Sequence, residues 1–172
     1  MPYIDLDAVD LRILSALQGN GRLSNNDLAD MVGLSPSPCL RRLRRLEERG
    51  FIAGYRAVVD AEMVGLGLTV FAEIKIEQHC AESTQQLHRA LQAMPEVVRC
   101  HMIAGRADCL AELIVQNVKA YERILNEKLL ALPMVADIRS TFALSEVKKD
   151  APLPLTHLKR PHPCVPRGAP DC

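Results

Sequence analysis

Residues 24–50 combine two short capped helices with a glycine turn between them, and few folds accommodate this combination. Ser24 can cap the first helix, "NNDLADMV", and Gly33 can end it. Ser35 can cap the second helix, and Pro36 lies at its first position, where the missing N–H group is not needed. A short helix, a glycine-containing turn and a second helix are typical of a helix-turn-helix.

A further helix and a pair of strands are predicted on either side of this motif. In "DAVDLRILSALQ" the apolar residues recur at helical spacing, and Asp7 can cap the start. After Gly50, "FIAGYRAVVD" predicts two short strands that would form a wing. Residues 1–60 are therefore predicted to form a winged helix-turn-helix domain.

The second helix of the motif concentrates positive charge on one side. At about 100° per residue, Cys39 and Leu46 fall on an apolar face, and most of the arginines fall on the opposite one. Arginine binds phosphates and guanine edges in double-stranded DNA, and a charged face turned to solvent is the alternative. The predicted DNA-binding residues are Ser35, Ser37, Arg41, Arg42, Arg44 and Arg45.

The overall charge balance does not conflict with DNA binding. The chain has 21 basic and 21 acidic residues, so its formal net charge is zero. Because the arginines are clustered in one helix, the positive patch is local, and a polyanion would be bound locally as well.

The second half of the chain alternates between strand and helix patterns. "LTVFAEIKIE" has the period of two that is typical of a strand. A helix, two strands, a second helix and a last strand follow, which gives the order βαββαβ of a ferredoxin-like fold. One face of such a sheet needs cover, so we expect dimerisation through it.

The predicted fold class is therefore α+β. The predicted domains are a DNA-binding domain at residues 1–60, a linker at 61–66 and an αβ-sandwich domain at 67–149. Residues 150–172 hold six of the eleven prolines and show no periodicity, so they are predicted to be a disordered tail.

Several classes of protein are disfavoured. No apolar run approaches the roughly 18 residues of a membrane span. The acidic N-terminus, "MPYIDLDAVD", is unlike a signal peptide, so a cytoplasmic location is expected. The six cysteines and five histidines show no metal-ligand spacing, and no nucleophile–base set or phosphate loop is recognisable. We therefore predict no metal, no cofactor and no enzymatic activity.

Three stretches of the sequence resemble the Lrp/AsnC family of transcriptional regulators. They are "GLSPSPCLRRLRRLEERGFIAGY", "MPEVVRCHMIAGRADCLAELIV" and "LLALPMVADIRSTFALSEVKK", and the resemblance extends over residues 5–149. It implies a helix-turn-helix joined to an ACT-like αβ-sandwich. It also implies homodimers that often assemble into octamers, and small effectors, usually amino acids, that bind between subunits.

The resemblance also implies an effector loop with the pattern G-x-x-D. The matching residues are Gly105, Arg106, Ala107 and Asp108, and Asp108 can pair with an α-ammonium group. A plain hairpin turn is the alternative, because Gly and Asp are common turn residues. Further candidates for this site are Ile103, Ala104 and Thr141, and then Met102 and Ser140.

Two positions depart from the family pattern. Many members carry an acidic residue in place of Arg106 and an aromatic one in place of Cys109, which puts leucine in doubt as the effector. The predicted function is a sequence-specific, effector-responsive regulator of promoter DNA. An architectural DNA-binding protein with little effector control is the alternative, and it differs by weak preference between promoter and random DNA.

Overall fold

The computed structural model describes residues 6–78 and 80–159. The chain divides into two compact units, with breaks at Val58/Val59 and at Val147/Lys148. The first unit contains the residues before the first break and those after the second, and the second unit is Val59–Val147. Within the described residues, no helix is both long and apolar enough to cross a membrane.

The first unit contains the three predicted helices. They are α1 (Ala8–Gly19), α2 (Asn25–Val32) and α3 (Pro36–Glu48). The Asp7 side chain caps α1 by accepting hydrogen bonds from the amides of Val9 and Asp10. The Ser24 hydroxyl caps α2, and Gly33 ends it with a φ of 71°, a left-handed conformation that glycine adopts without strain. The three helices enclose a small core of Ile13, Leu28, Ala29, Val32, Cys39 and Leu46.

The predicted strand pair of the wing is wrong. Residues 51–60 contain no strand and run as irregular chain. The amides of Phe51 and Ile52 are already used, because both donate to the carbonyl oxygen of Leu46 at the end of α3. A lone two-stranded hairpin is marginal in water. Here the Tyr55 hydroxyl instead fixes the segment to α3 through a 2.9 Å hydrogen bond to Glu47.

The second unit has the predicted βαββαβ order. Its strands are β1 (Leu68–Ile76), β2 (Val97–Met102), β3 (Cys109–Val115) and β4 (Val135–Phe142). Its helices are α4 (Ala81–Gln92) and α5 (Val118–Ile124), and α5 continues as a π-helical turn, Leu125–Leu129. The sheet order is β2-β3-β1-β4, with antiparallel neighbours throughout. The prediction of an α+β, ferredoxin-like domain is confirmed.

The two faces of this sheet differ. Alternate residues of β1 and β3, such as Val70, Ile74 and Leu113, are buried with residues of α4 and α5, including Leu87 and Tyr121. The other face stays half-buried or exposed and mixes apolar and charged side chains. It carries Phe71, Glu73, Leu110, Glu112, Arg139 and Thr141, and we call it the open face.

Part of the predicted disordered tail has defined structure. Thr156–Lys159 form a short 3-10 helix. Leu153 donates its amide to the Gln18 side chain at 2.6 Å and accepts a hydrogen bond from it at 3.4 Å. Composition alone did not indicate this contact, because a pair of side chain to main chain hydrogen bonds needs no periodic pattern. Residues 160–172, with Cys164 and Cys172, lie outside the described part.

The contact between Tyr55 and Glu47 gives a pH-dependent expectation. Burial, together with the Glu47 carboxylate, raises the pKa of Tyr55 from 10.0 to about 12. Because the pKa is raised in the folded state, the contribution of the protonated Tyr55 to stability is fully present below pH 10. That contribution is lost as the pH rises through about 12. Tyrosinate absorbance, measured for the wild type minus Tyr55→Phe, should therefore titrate near pH 12. Glu47→Gln should lower this midpoint only in part, since burial is the larger cause, and a midpoint at 10.0 in the wild type would contradict the contact.

Candidate DNA-binding and effector sites

The exposed side of α3 is lined by arginines. Arg41 and Arg44 are exposed, and in the described part of the chain neither has an ion-pair partner. They border an open depression of about 370 Å³. Its lining residues are Ser37, Leu40, Arg41, Arg44, Arg45 and Glu48. Cys39 and Leu46 are fully buried on the opposite side, so the helix is oriented as its pattern predicts.

The other two arginines of α3 bind acidic residues at the start of α1. Arg42 Nη1 lies 2.6 Å from Asp7 Oδ2 and 2.9 Å from Asp10 Oδ1. Arg45 Nη2 lies 2.7 Å from Asp10 Oδ2. Asp10 thus bridges two arginines, and α1 and α3 are held together by charge as well as by apolar contact.

Asp10 is the one fully buried charged or polar residue in the described chain. A buried carboxylate is costly unless every oxygen is paired, and here each oxygen accepts from a guanidinium. Asp10 is absent from the residues singled out by the sequence pattern. A signal was present, since Asp10 lies three and four positions before Ile13 and Leu14 and so falls on the inward face of α1.

Asp7 also binds Arg42, from a more exposed position than Asp10. Partial burial on its own would raise the pKa of Asp7, but the Asp10 amide and the Arg42 guanidinium together lower it below 3.8. A lowered carboxyl pKa means that this contribution is present above pH 3.8 and is lost as the pH falls through the lowered value.

The first turn of α3 is unusual in its hydrogen bonding. Ser35 occupies the cap position but makes no side-chain capping bond. An N-cap hydroxyl normally accepts from the second or third helical amide, and the third residue here is Pro38, which has no N–H group. Asn25 instead fixes this end of the helix by donating to the carbonyl oxygen of Pro36 at 2.9 Å. The Ser35 side chain is exposed and makes no capping hydrogen bond.

The predicted effector loop connects β2 to β3. The amide of Ile103 donates to the carbonyl oxygen of Asp108 at 3.0 Å and closes the loop. Ala104 and Arg106 are exposed, whereas Ala107 is buried. Gly105 has a φ of 155°, at the edge of the region that favours glycine.

Asp108 is committed to the end of β1. Its amide donates to the carbonyl oxygen of Ile74 at 3.0 Å. Its Oδ2 atom accepts a 2.8 Å hydrogen bond from the amide of Ile76. Asp108 therefore joins the loop to β1, a structural task that the sequence pattern alone did not indicate.

The remaining effector candidates do not gather in one place. Thr141 lies opposite Phe71 in β1, on the open face, while Asp108 contacts Ile76 five residues further along that strand. At about 3.3 Å per residue, Thr141 and Asp108 are roughly 16 Å apart along β1. Ser140 points to the other face, where it hydrogen-bonds to Tyr121. Within one copy of the chain, Thr141 therefore lies far from the loop.

Five histidines and cysteines could suggest a metal site, namely His79, Cys80, His88, Cys100 and His101, but those that the structure describes do not form one. No group of three His, Cys, Asp or Glu residues lies close enough to hold an ion there. Cys80 instead caps α4 by accepting a hydrogen bond from the amide of Ser83. His79 lies outside the described residues.

The buried carboxylate gives a stability expectation. Asp10→Asn keeps the shape of the side chain and removes its charge, so Arg45 loses its counter-ion and Arg42 keeps only Asp7. We expect the free energy of unfolding to fall by about 2 kcal/mol, less than for a fully buried pair because the arginines can turn to solvent. Asp30→Asn, at an exposed position of α2, makes the same change in charge and should cost under about 0.5 kcal/mol. Equal losses in denaturant titrations of the two variants would contradict this assignment.

Comparisons with known proteins agree with both units. The model of the winged helix-turn-helix DNA-binding family matches residues 6–53. The model of the Lrp/AsnC ligand binding domain matches residues 69–153. Together the two matched ranges include most of the chain.

Relatives are similar over most of this chain and most of their own length. The leucine-responsive regulatory proteins of Salmonella typhimurium and Escherichia coli are each 42% identical over 148 residues, which is 86% of this chain and 90% of theirs. A transcriptional regulator from Neisseria meningitidis, solved as a complex with L-Met, is 38% identical. Its TM-score is 0.86, over 89% of this chain and 99% of its own. An AsnC family regulator from Agrobacterium tumefaciens is 32% identical with a TM-score of 0.84, over the same shares. The chain belongs to the Lrp/AsnC family of effector-responsive transcriptional regulators.

Proposed function

We propose that this protein binds promoter DNA sequence-specifically through α3, as a homodimer whose DNA binding responds to an amino acid. One observation carries the proposal. Arg41 and Arg44 are exposed on the outer side of α3, while Asp10 holds Arg42 and Arg45 at its flank. The helix is thus fixed in orientation, and it presents two guanidinium groups that have no ion-pair partner among the described residues.

The residues of α3 are expected to divide the work. Arg41 and Arg44 are assigned to base edges and phosphates in the major groove. The Ser35 hydroxyl, and the Ser37 amide in the first turn, suit a phosphate at the start of the helix. Arg45 is about half-exposed and has donors left beyond its bond to Asp10. Arg42 is assigned mainly to holding the helix in place.

A dimer would give this helix its specificity. One helix-turn-helix covers few base pairs, whereas two related by a two-fold axis read half-sites about 34 Å apart. The open face, with half-buried Phe71 and Leu110 beside charged neighbours, is the surface that we assign to the dimer contact. Assembly of dimers into an octamer is part of the proposal and would allow DNA to be bent around it.

The effector is proposed to be an amino acid bound by the 103–108 loop. Asp108 suits an α-ammonium group, because a carboxylate can accept from a ligand while it also accepts from the Ile76 amide. Exposed Arg106 suits the carboxylate of the ligand. Thr141 lies too far away in the same copy, so we infer that a second subunit contributes it. The L-Met complex of the Neisseria relative supports this ligand class.

The proposal includes no catalytic step, and the site of action is the cytoplasm, where promoter DNA is accessible. The regulator controls genes by binding, so α3 and the effector loop act by positioning their side chains and need no reactive groups. Members of the family that the sequence resembles often regulate their own genes, so the fragment upstream of this protein's own gene is the DNA chosen for the tests.

The DNA assignment predicts the effect of removing single arginines. Arg41→Ala and Arg44→Ala should each weaken binding to the fragment upstream of the protein's own gene by about 1–3 kcal/mol. If the lost contact is to phosphate, the slope of log affinity against log salt should fall by about 0.9 per arginine. Fluorescence anisotropy over a salt series measures both quantities.

Arg89→Ala is the matched control, since Arg89 is an exposed arginine of α4 in the other unit. Unchanged affinity and slope in both α3 variants would rule out this DNA-binding face. Equal affinity of the wild type for promoter and random DNA would favour the architectural alternative.

The effector assignment predicts a ligand-specific gain in stability. An amino acid at about 100 times its dissociation constant should add roughly 2.7 kcal/mol to the free energy of unfolding. Asp108→Asn should abolish this gain, because it removes the charge that would pair with the ammonium group. The variant keeps an oxygen that can accept the hydrogen bond from the Ile76 amide, so the loop should stay attached to β1. Thermal unfolding against a panel of single amino acids measures the shift.

Glu122→Gln makes the same charge change at an exposed position of α5 and should leave the shift intact. The stability of Asp108→Asn without ligand shows whether the fold is damaged. Comparison with Glu122→Gln then shows whether loss of the shift is specific to Asp108. A shift that persists in Asp108→Asn would place the effector elsewhere.

A further inference from the structure

Two cysteines meet at the base of the effector loop. The Sγ atoms of Cys100 in β2 and Cys109 in β3 lie 3.1 Å apart, and both thiols are free. The strands that carry them are consecutive, and the chain between them is the segment 101–108 that contains the loop. A bond between the two sulfur atoms would therefore tie both ends of the loop together.

The register explains why the two thiols meet. Cys100 is paired with Ala111, and Met102 is paired with Cys109, so the cysteines are diagonal neighbours on one face of the sheet. Cys109 and Ala111 are both fully buried, which identifies this face as the one covered by helices. Cys100 is thus turned away from the open face, and a dimer formed through that face would not cover it.

The two thiols differ in access. Cys100 lies in a strand at the edge of the sheet and is exposed, whereas Cys109 is fully buried. Burial and the neighbouring Cys100 raise the pKa of the Cys109 thiol, so it stays protonated. A small oxidant would reach Cys100 first, and Cys109 is already in place to attack the product.

We propose that Cys100 and Cys109 form a redox-sensitive pair that peroxide closes to a disulfide, and that the bond weakens effector binding by the adjacent loop. The first part stands on the geometry alone, and the second rests on the proposed effector site.

The chemistry balances with hydrogen peroxide as the oxidant. The Cys100 thiolate attacks one oxygen atom, the O–O bond breaks, and hydroxide leaves, which gives a sulfenic acid at Cys100. The Cys109 sulfur then attacks the Cys100 sulfur, the S–O bond breaks, and the Cys109 proton leaves with the hydroxyl as water. In total, two thiols lose two electrons and two protons, and peroxide is reduced to water. A small thiol reverses the reaction by disulfide exchange.

The bond would alter the loop because the strands must move. The Cα atoms of diagonal neighbours on adjacent strands are about 7–8 Å apart, which is beyond the roughly 6.8 Å that a disulfide normally spans. Closing it draws β2 towards β3 next to Asp108, which is bonded to Cys109 through the main chain and fixes the loop to Ile76. A displaced Asp108 would hold an ammonium group less well.

The test must separate this pair from the other cysteines. Cys80 competes, because it is exposed and hydrogen bonding from Ser83 lowers the pKa of its thiol. The parent for the experiment is therefore the full chain with Cys80→Ser, Cys164→Ser and Cys172→Ser. Serine at position 80 can still cap α4. Cys39 remains and is buried in the other unit.

Peptide mapping identifies the bond directly. Trypsin cuts after Arg99, Arg106 and Lys119, so it separates the cysteines into the peptides 100–106 and 107–119. After peroxide, these peptides should appear as one disulfide-linked species that has lost two hydrogen atoms, and a reductant should restore them. Cys100→Ser and Cys109→Ala should each prevent it, and circular dichroism checks that both variants fold. Peroxide treatment that leaves these peptides unlinked overturns the proposal.

The second arm measures effector binding by the parent chain, reduced and oxidised. The dissociation constant of the stabilising amino acid should increase about fivefold or more on oxidation. It should not change in Cys100→Ser. Equal affinity of both forms overturns the regulatory part. If no amino acid binds even the reduced chain, the proposed effector has failed, while the peptide map still decides whether the pair is oxidised.

Discussion

The buried carboxylate of Asp10 is the interaction on which the DNA-binding unit depends. Its two oxygens are occupied by guanidinium groups of α3, so the first helix fixes the orientation of the third. Apolar contact alone would leave α3 freer to rotate about its axis, because its core side is narrow and has only Cys39 and Leu46 fully buried. The ion pairs thus hold α3 in the orientation that its apolar face favours, with Arg41 and Arg44 on the outer side.

The fold could be predicted wherever one element carries its own signal. Helix caps, glycine turns and the periods of 3.6 and 2 predicted α1 to α5 and β1 to β4, and the structure has them. The strand pair of the wing failed because its first amides, those of Phe51 and Ile52, are drawn to the carbonyl oxygen of Leu46. The π-helical turn after α5 also has no local signal, because the predicted helix pattern runs through it without a break. Competition between neighbouring elements for the same donors is not visible in a hydrophobic pattern.

The candidate sites could be predicted as surfaces and not as individual roles. The helical period correctly separated the core of α3 from its charged side, yet it could not tell Arg41 from Arg42. That distinction depends on Asp7 and Asp10, which are distant in sequence and meet α3 only after folding. In the same way, Ser140 and Thr141 are adjacent in sequence but lie on opposite faces of the sheet, and strand register decides which of them lies on the open face.

Asp108 indicates how a ligand at the loop would act on the rest of the second unit. The same carboxylate that suits an ammonium group holds the last amide of β1. β1 is one of the two central strands of the sheet, paired with β3 on one side and with β4 on the other. A cation that shared this carboxylate would pull on the end of β1, and β1 carries Phe71 on the open face, opposite Thr141. In a dimer formed through that face, effector binding and subunit contact would therefore be coupled through a single strand, and no long chain of contacts would be needed.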